Sequence, residues 1–168
     1  MNQSNLETIF ADTFDTYSDA IFRFCLVKVS SVELAEDMTQ EVFMRYWQYL
    51  RAEKEMTNTR SFLYTIANNL AKDWYKKKKP VSLDDRLEAG NHPPDGRSLS
   101  PEANALYLEV LSMMEDMDQS DKEVLFFRHV EGLDPKQIAE LLGETANTIS
   151  VRLNRATKRL KERLNTYE

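Results

Sequence analysis

Glycine, proline, cysteine and histidine are all scarce in this chain, and each scarcity removes a class of protein. Four glycines and five prolines in 168 residues are too few for a turn-rich β architecture or a low-complexity chain. The single cysteine, Cys25, excludes an intramolecular disulfide, and its place in an apolar run predicts a buried thiol in a reducing cytoplasm. His92 and His129, the two histidines, are too far from each other and from Cys25 for metal-ligand spacing, and His92 falls in a predicted loop. Long hydrophobic runs are missing too. Arg23 and Lys28 interrupt the most apolar stretch, well short of a membrane span. The opening MNQSNLETIF lacks the basic start and apolar run of a signal peptide. There is no phosphate-binding glycine loop and no nucleophile with a matching base, so the chain is expected to act by binding, without catalysis, metal or cofactor.

What is present is helical periodicity and unevenly placed charge. A hydrophobic content of 42% supports one or two modest cores, and the scarcity of alternating β-branched runs predicts an all-α fold. The net charge of −6 argues against indiscriminate coating of nucleic acid. Its distribution is more informative. Residues 1–59 hold ten acidic and five basic side chains, residues 60–79 one acidic and six basic, and residues 152–163 one acidic and six basic. Contact with a polyanion is therefore expected at two places only.

Along the chain, Leu6, Ile9, Phe10, Phe14, Tyr17, Ile21, Phe24, Cys25 and Val29 recur at helical spacing, as one long helix or two short ones broken near Thr13 to Ser18. Ser30 and Ser31 mark a turn and cap. A helix over 32–50 follows, with Leu34, Met38, Val42 and Tyr46 inward, widened by Phe43 and Trp47, and an acidic, amide-rich outer face of Glu36, Asp37, Gln40, Glu41, Met44 and Gln48. After a polar loop, 51–59, another helix runs to about Lys78, with Phe62, Leu63, Ile66, Ala67, Leu70 and Trp74 as its inner side. It ends in four lysines stopped by Pro80. Aromatics beside a lysine run suit base stacking and phosphate neutralisation, and equally suit a core tryptophan beside a charge-complemented helix end.

Residues 80–103 are rich in Pro, Gly, Asp and Ser, with five acidic and two basic side chains, and are expected to be an extended linker. Beyond it Leu106, Leu108, Leu111, Met114 and Met117, then Val124, Leu125, Phe127 and Val130, form a second small bundle with His129 at its edge. The stretch 134–164, DPKQIAELLGETANTISVRLNRATKRLKERL, predicts a helix-turn-helix. Asp134, Pro135 and Gln137 make a helix start with a capping box, and Gly143 a stop. Thr145 caps a second helix whose Ile149, Leu153, Ala156, Leu160 and Leu164 form the buried stripe. The rest of that helix carries Arg152, Arg155, Lys158, Arg159, Lys161 and Arg163, placed to meet phosphates if it enters a major groove. An ordinary helical hairpin with a solvated basic face has the same pattern.

Three segments in order, DMTQEVF from Asp37, RSFLYTIANNLAKDWYKK from Arg60, and FRHVEGL from Phe127 ahead of the helix-turn-helix, resemble a bacterial extracytoplasmic-function (ECF, group 4) sigma factor. The resemblance covers nearly the whole chain. It implies two helical domains, region 2 (1–79) and region 4 (104–168), joined by the linker 80–103, which would thread through the polymerase. It further implies that Asp37, Gln40 and Glu41 dock on the β′ clamp of core RNA polymerase, and that the helix before the helix-turn-helix grips the β flap. Asn58, Arg60, Asn69, Lys72, Trp74 and Lys76 would hold the melted −10 strand. On the −35 duplex, the groove side would present Ser150, Val151, Asn154 and Arg155, with Thr148, Arg152 and Lys158 at phosphates. Many relatives carry a basic residue where Ser150 stands and a small polar one where Val151 stands, so apolar contact with a thymine methyl and hydrogen bonds from Asn154 or Arg155 are expected to replace reading by a long cation there. Control by an anti-sigma factor is implied too. Two other readings of the residues are a stand-alone helix-turn-helix regulator and a helical adaptor with protein partners only. The acidic motif at 37–41 and the lysine-ended helix tell against both.

Overall fold

The computed structural model describes residues 2–78 and 101–166, and the chain divides into two compact units, Met1–Gly96 and Arg97–Glu168. The predicted linker, with His92, falls almost entirely outside the described residues, although 101–103 already belong to the first helix of the second unit. All the regular structure described is α-helical.

The first unit contains α1 (Gln3–Val29), α2 (Val32–Arg51) and α3 (Thr59–Lys77). Helix α1 is continuous, with no break between Thr13 and Ser18. Its polar residues there do not compete with the helix: the Thr16 hydroxyl donates back to the Asp12 carbonyl at 2.7 Å, and Thr13 is tied to Tyr46 of α2 by a 3.0 Å hydroxyl pair. The chain then reverses within two residues. Ser30 adopts the left-handed conformation (φ 52°) with its N–H on the Leu26 carbonyl, and the Ser31 side chain caps α2 by accepting from the Leu34 N–H at 3.4 Å. So short a connection lays α2 back along α1. Phe10 and Phe14 of α1 meet Phe43, Tyr46 and Trp47 of α2 in an aromatic cluster with centroid separations of 4.8–6.3 Å.

Helix α3 closes this core along a stripe rotated from the predicted one. Leu63, Tyr64, Ile66, Ala67 and Ala71 are buried, whereas Phe62, Leu70 and Trp74 are only half-buried. Small Ala67 and Ala71 let α3 sit close to α1 and α2, and Tyr64 packs edge-on to Phe24 at 5.1 Å. The preceding loop is held by Tyr49, whose hydroxyl donates to the Glu55 carbonyl at 2.7 Å while its ring meets Phe62 at 4.5 Å. Cys25 is fully buried, which pushes its thiol up to about 12.

The second unit contains α4 (Pro101–Met113), α5 (Gln119–His129), α6 (Pro135–Leu142) and α7 (Ala146–Thr166). Leu111, Met114, Met117, Val124, Leu125, Phe126, Phe127 and Leu133 build its core with Ile138, Ala139, Ile149, Leu153 and Ala156. Two predicted core residues lie outside it, Leu106 at 62% exposure and Val130 at 44%. Leu106 belongs to the start of α4, which runs out beyond the bundle, and Val130 caps the exposed end of α5 next to the exposed His129. The stripe of α7 also leaves the core early. Leu160 is half-buried and Leu164 is 45% exposed.

Candidate nucleic-acid interface

The turn between α6 and α7 follows from its residues. The Asp134 carboxylate accepts from the Gln137 N–H at 2.9 Å, and the Gln137 side chain accepts from the Asp134 N–H at 2.9 Å, with Pro135 in the first turn. Gly143 ends α6 in the left-handed region, φ 67°, its N–H on the Ala139 carbonyl. The Thr145 hydroxyl then accepts from the Thr148 N–H at 3.2 Å and starts α7. Fully buried Ile138 and Ile149 pin the two helices together.

With this roll, Val151 (59% exposed), Asn154 and Lys158 point outward on one face of α7, and Asn147, which sequence reasoning missed, joins them at spacings of four, three and four. Thr148 is exposed beside this face and shares a 2.8 Å hydroxyl contact with Thr145; Ser150 is half-buried on the other flank. Two predicted DNA-contacting arginines are held within the protein. Arg152 makes a two-pronged pair with Glu144, both bonds 2.8 Å. Arg155 reaches Asp121 of α5 at 2.7 Å. Arg159 follows one turn later, 3.1 Å from Asp121 and 3.5 Å from Asp118, and Arg163 after it donates to the Met113 carbonyl at 3.1 Å and the Asp116 carboxylate at 3.2 Å. Much of the basic face of α7 is thus turned toward the acidic junction of α4 and α5. No sequence signal links Arg155 to a carboxylate 34 residues away.

In the first unit, Asn69, Lys72 and Lys76 are exposed on one face of α3. Trp74 does not share it, because a two-residue offset on a helix turns a side chain about 200°. It lies half-buried on the far flank, edge-on to Tyr75 at 4.8 Å, with the Lys78 ammonium 4.4 Å over its ring. Arg60 is half-buried in the first turn. Asn58 caps α3, its side-chain oxygen accepting from the Ser61 N–H at 3.0 Å, which commits that atom to the helix rather than to a base. Behind α3, Lys28 is 6% exposed, its Nζ 5.3 Å over the Phe24 ring and its carbonyl accepting from the Tyr75 hydroxyl. Burial, reinforced by the charge of Lys72, pushes its ammonium down to about 8.

On α2, Asp37 and Gln40 are exposed and Glu41 is half-buried, its carboxylate 2.7 Å from Arg45 Nε. Met44, 53% exposed, lies on the same face. An apolar tip among acidic and amide groups has the composition of a protein-docking surface rather than of a phosphate site.

A capped helix-turn-helix with a solvent-facing second helix, carried with a separate three-helix unit that presents lysines on one helix and carboxylates on another, defines a helical DNA-binding protein of transcription. Residues 13–81 match the family model of Sigma-70 region 2, and residues 107–160 that of Sigma-70, region 4. The chain belongs to the sigma-70 family of RNA polymerase sigma factors, in its ECF group. It is similar to the ECF RNA polymerase sigma factor SigW of Bacillus subtilis, 28% identical over 167 residues that cover 92% of this chain and 88% of SigW. It is also 26% identical over 160 residues to the RNA polymerase sigma factor YlaC of the same organism, covering 91% and 90%. The fold is shared with the sigma factor RpoE of Bartonella quintana, solved in complex with the anti-sigma factor NepR: TM-score 0.69, 22% identity, 93% of this chain and 96% of that one. Among the described residues no helix is long and apolar enough to cross a membrane.

Proposed function

We propose that this protein binds core RNA polymerase and directs promoter-specific initiation from the cytoplasm, contributing no catalytic group of its own. The reading is carried by one observation: α2 exposes Asp37 and Gln40, with Glu41 and Met44 beside them, as a face separate from the lysines of α3. A regulator acting alone has no need of that docking surface. The β′ clamp meets this face and the β flap meets the second unit. Asn69, Lys72 and Lys76 run along the backbone of the melted −10 strand, and the loop ahead of Asn58 receives an unstacked base, binding that offsets the cost of opening the duplex. Helix α7 enters the −35 major groove with Val151 and Asn154 toward base edges and Lys158 toward phosphate. Units 1–79 and 104–168 divide this work, the first at the −10 element and the second at the −35 element. An anti-sigma factor, as in the solved RpoE complex, would silence the protein by covering the polymerase-facing surfaces.

Run-off transcription with core polymerase on a promoter panel that includes premelted templates tests the reading. The wild type is expected to start specific transcripts, and Asp37→Ala/Gln40→Ala/Glu41→Ala to lose them while remaining folded. A wild type that binds duplex DNA alone but neither binds core polymerase nor starts transcripts would replace this function with that of a stand-alone regulator.

A further inference from the structure

Asp121 is fully buried, and its two carboxylate oxygens are taken by different arginines of α7: Oδ1 by Arg155 at 2.7 Å, Oδ2 by Arg159 at 3.1 Å. A carboxylate removed from water is costly unless its charge and lone pairs are met, and removing one partner of such a group is strongly unfavourable. The arginines are not equally confined, since each keeps about half of its side chain in solvent while the aspartate has none. Either guanidinium would be well solvated if it swung away. Asp121 would lose one of its two charge partners, so the cost of release falls on the carboxylate and opposes it. The two bonds also act on one rigid body. Arg155 and Arg159 lie one turn apart on the same flank of α7, so anchoring both to one point on α5 determines the roll of α7 about its own axis. That roll leaves Val151 and Asn154 outward and turns Arg155 aside.

We propose that Asp121 is a positioning residue for promoter recognition: it sets the roll of α7 through Arg155 and Arg159, withdraws Arg155 from base reading, and leaves the −35 sequence to be read by Asn147, Val151 and Asn154. This rests on α7 being the duplex-reading helix, as argued above. Because the charges of Arg155 and Arg159 are already met within the protein, they release few counterions when DNA binds, and the salt dependence of binding is shallower than the number of basic residues on α7 suggests.

The test uses the full chain with core polymerase, selecting from a randomised duplex library and then titrating the selected duplex against salt. Arg155→Lys, which keeps a cation for Asp121 but cannot grip guanine with a two-pronged fork, is expected to keep the wild-type base preference, and Arg155→Ala to leave the slope of log affinity against log salt unchanged, because that charge is not given to DNA. Asp121→Asn keeps the shape but removes the charge, so it is expected to free the arginines, steepen the slope by roughly 1–2 at about 0.9 per liberated cation, and add preference for guanine at a new position. A loss of tenfold or more in discrimination at one base pair on Arg155→Lys, or a slope shallower by about 0.9 on Arg155→Ala, would overturn the proposal, because Arg155 would then be leaving Asp121 for DNA. If Asp121→Asn fails to fold, the base preference of Arg155→Lys and the salt slope of Arg155→Ala decide. Failure of the wild type to enrich any duplex would instead overturn the reading of α7, and this proposal with it.

Discussion

Lys28 shows how burial of one side chain becomes a pH dependence. Its ammonium is held at about 8 in the folded chain against an ordinary value of 10.5. Between those values the unfolded chain binds the proton that the folded chain has lost, so stability rises with pH through this window. Cys25 acts in the opposite sense. Its thiol titrates at about 12 when folded and at 9.0 otherwise, so the folded chain keeps a proton that the unfolded chain releases, and stability falls above pH 9. Within the first unit the gain from Lys28 therefore stands alone between about pH 8 and 9. Urea midpoints measured in steps from pH 7 to 10 are expected to rise over that interval and then flatten. Lys28→Met should abolish the rise and be the more stable protein at pH 7, where the wild type must bury a charge. A wild-type profile flat between pH 8 and 9 would show that Lys28 is not depressed. The sequence placed this lysine only as an interruption of an apolar run. That it is enclosed, with Tyr75 bonded to its carbonyl, came from the packing of α3 on α1.

At the scale of the element, α3 separates two features that look like one in the sequence. Its lysines and its tryptophan sit within a few residues of each other, yet Asn69, Lys72 and Lys76 form one exposed face while Trp74 stacks with Lys78 on another. In the proposed function the lysine face is the part that tracks a nucleic-acid backbone. Lys72→Gln/Lys76→Gln is expected to weaken holoenzyme binding to a premelted promoter and to reduce the salt slope by about 1.4, two contacts at roughly 0.7 each for a single strand. An unchanged slope would remove these two lysines from the interface. Periodicity located α3 and both of its ends, but the choice of inner stripe depended on how closely α1 and α2 approach. Small Ala67 and Ala71 allow an approach that large Phe62 and Trp74 do not, and hydrophobicity alone ranks the aromatics first. In α6 and α7 the signals were local, the cap, the box and the left-handed glycine, and each of these was legible.

For the whole molecule, the division into two units has a spectroscopic consequence. The two tryptophans, Trp47 and Trp74, both belong to the first unit, so their fluorescence follows its unfolding alone, whereas far-UV circular dichroism follows both. Gly143→Ala places a side chain at φ +67° with nothing within 4 Å of the added carbon, so its cost is backbone strain of about 1 kcal/mol. The circular dichroism transition is expected to shift to lower denaturant while the fluorescence transition stays in place. Coincident shifts in both signals would mean that the chain unfolds as one body.

What the sequence by itself determined is whatever depends on neighbours along the chain. The all-α class follows from apolar spacing, the helix ends from caps and glycine, and the family from three segments in order. These are interactions between residues three or four positions apart, and they survive any arrangement of the helices. Only the tertiary structure decided which charges are available. Asp121 and Arg155 meet because α5 and α7 cross, and with that meeting a predicted base-reading arginine becomes the holder of a buried carboxylate. Ion pairing is set by distance and burial in space, and neither is written in sequence separation.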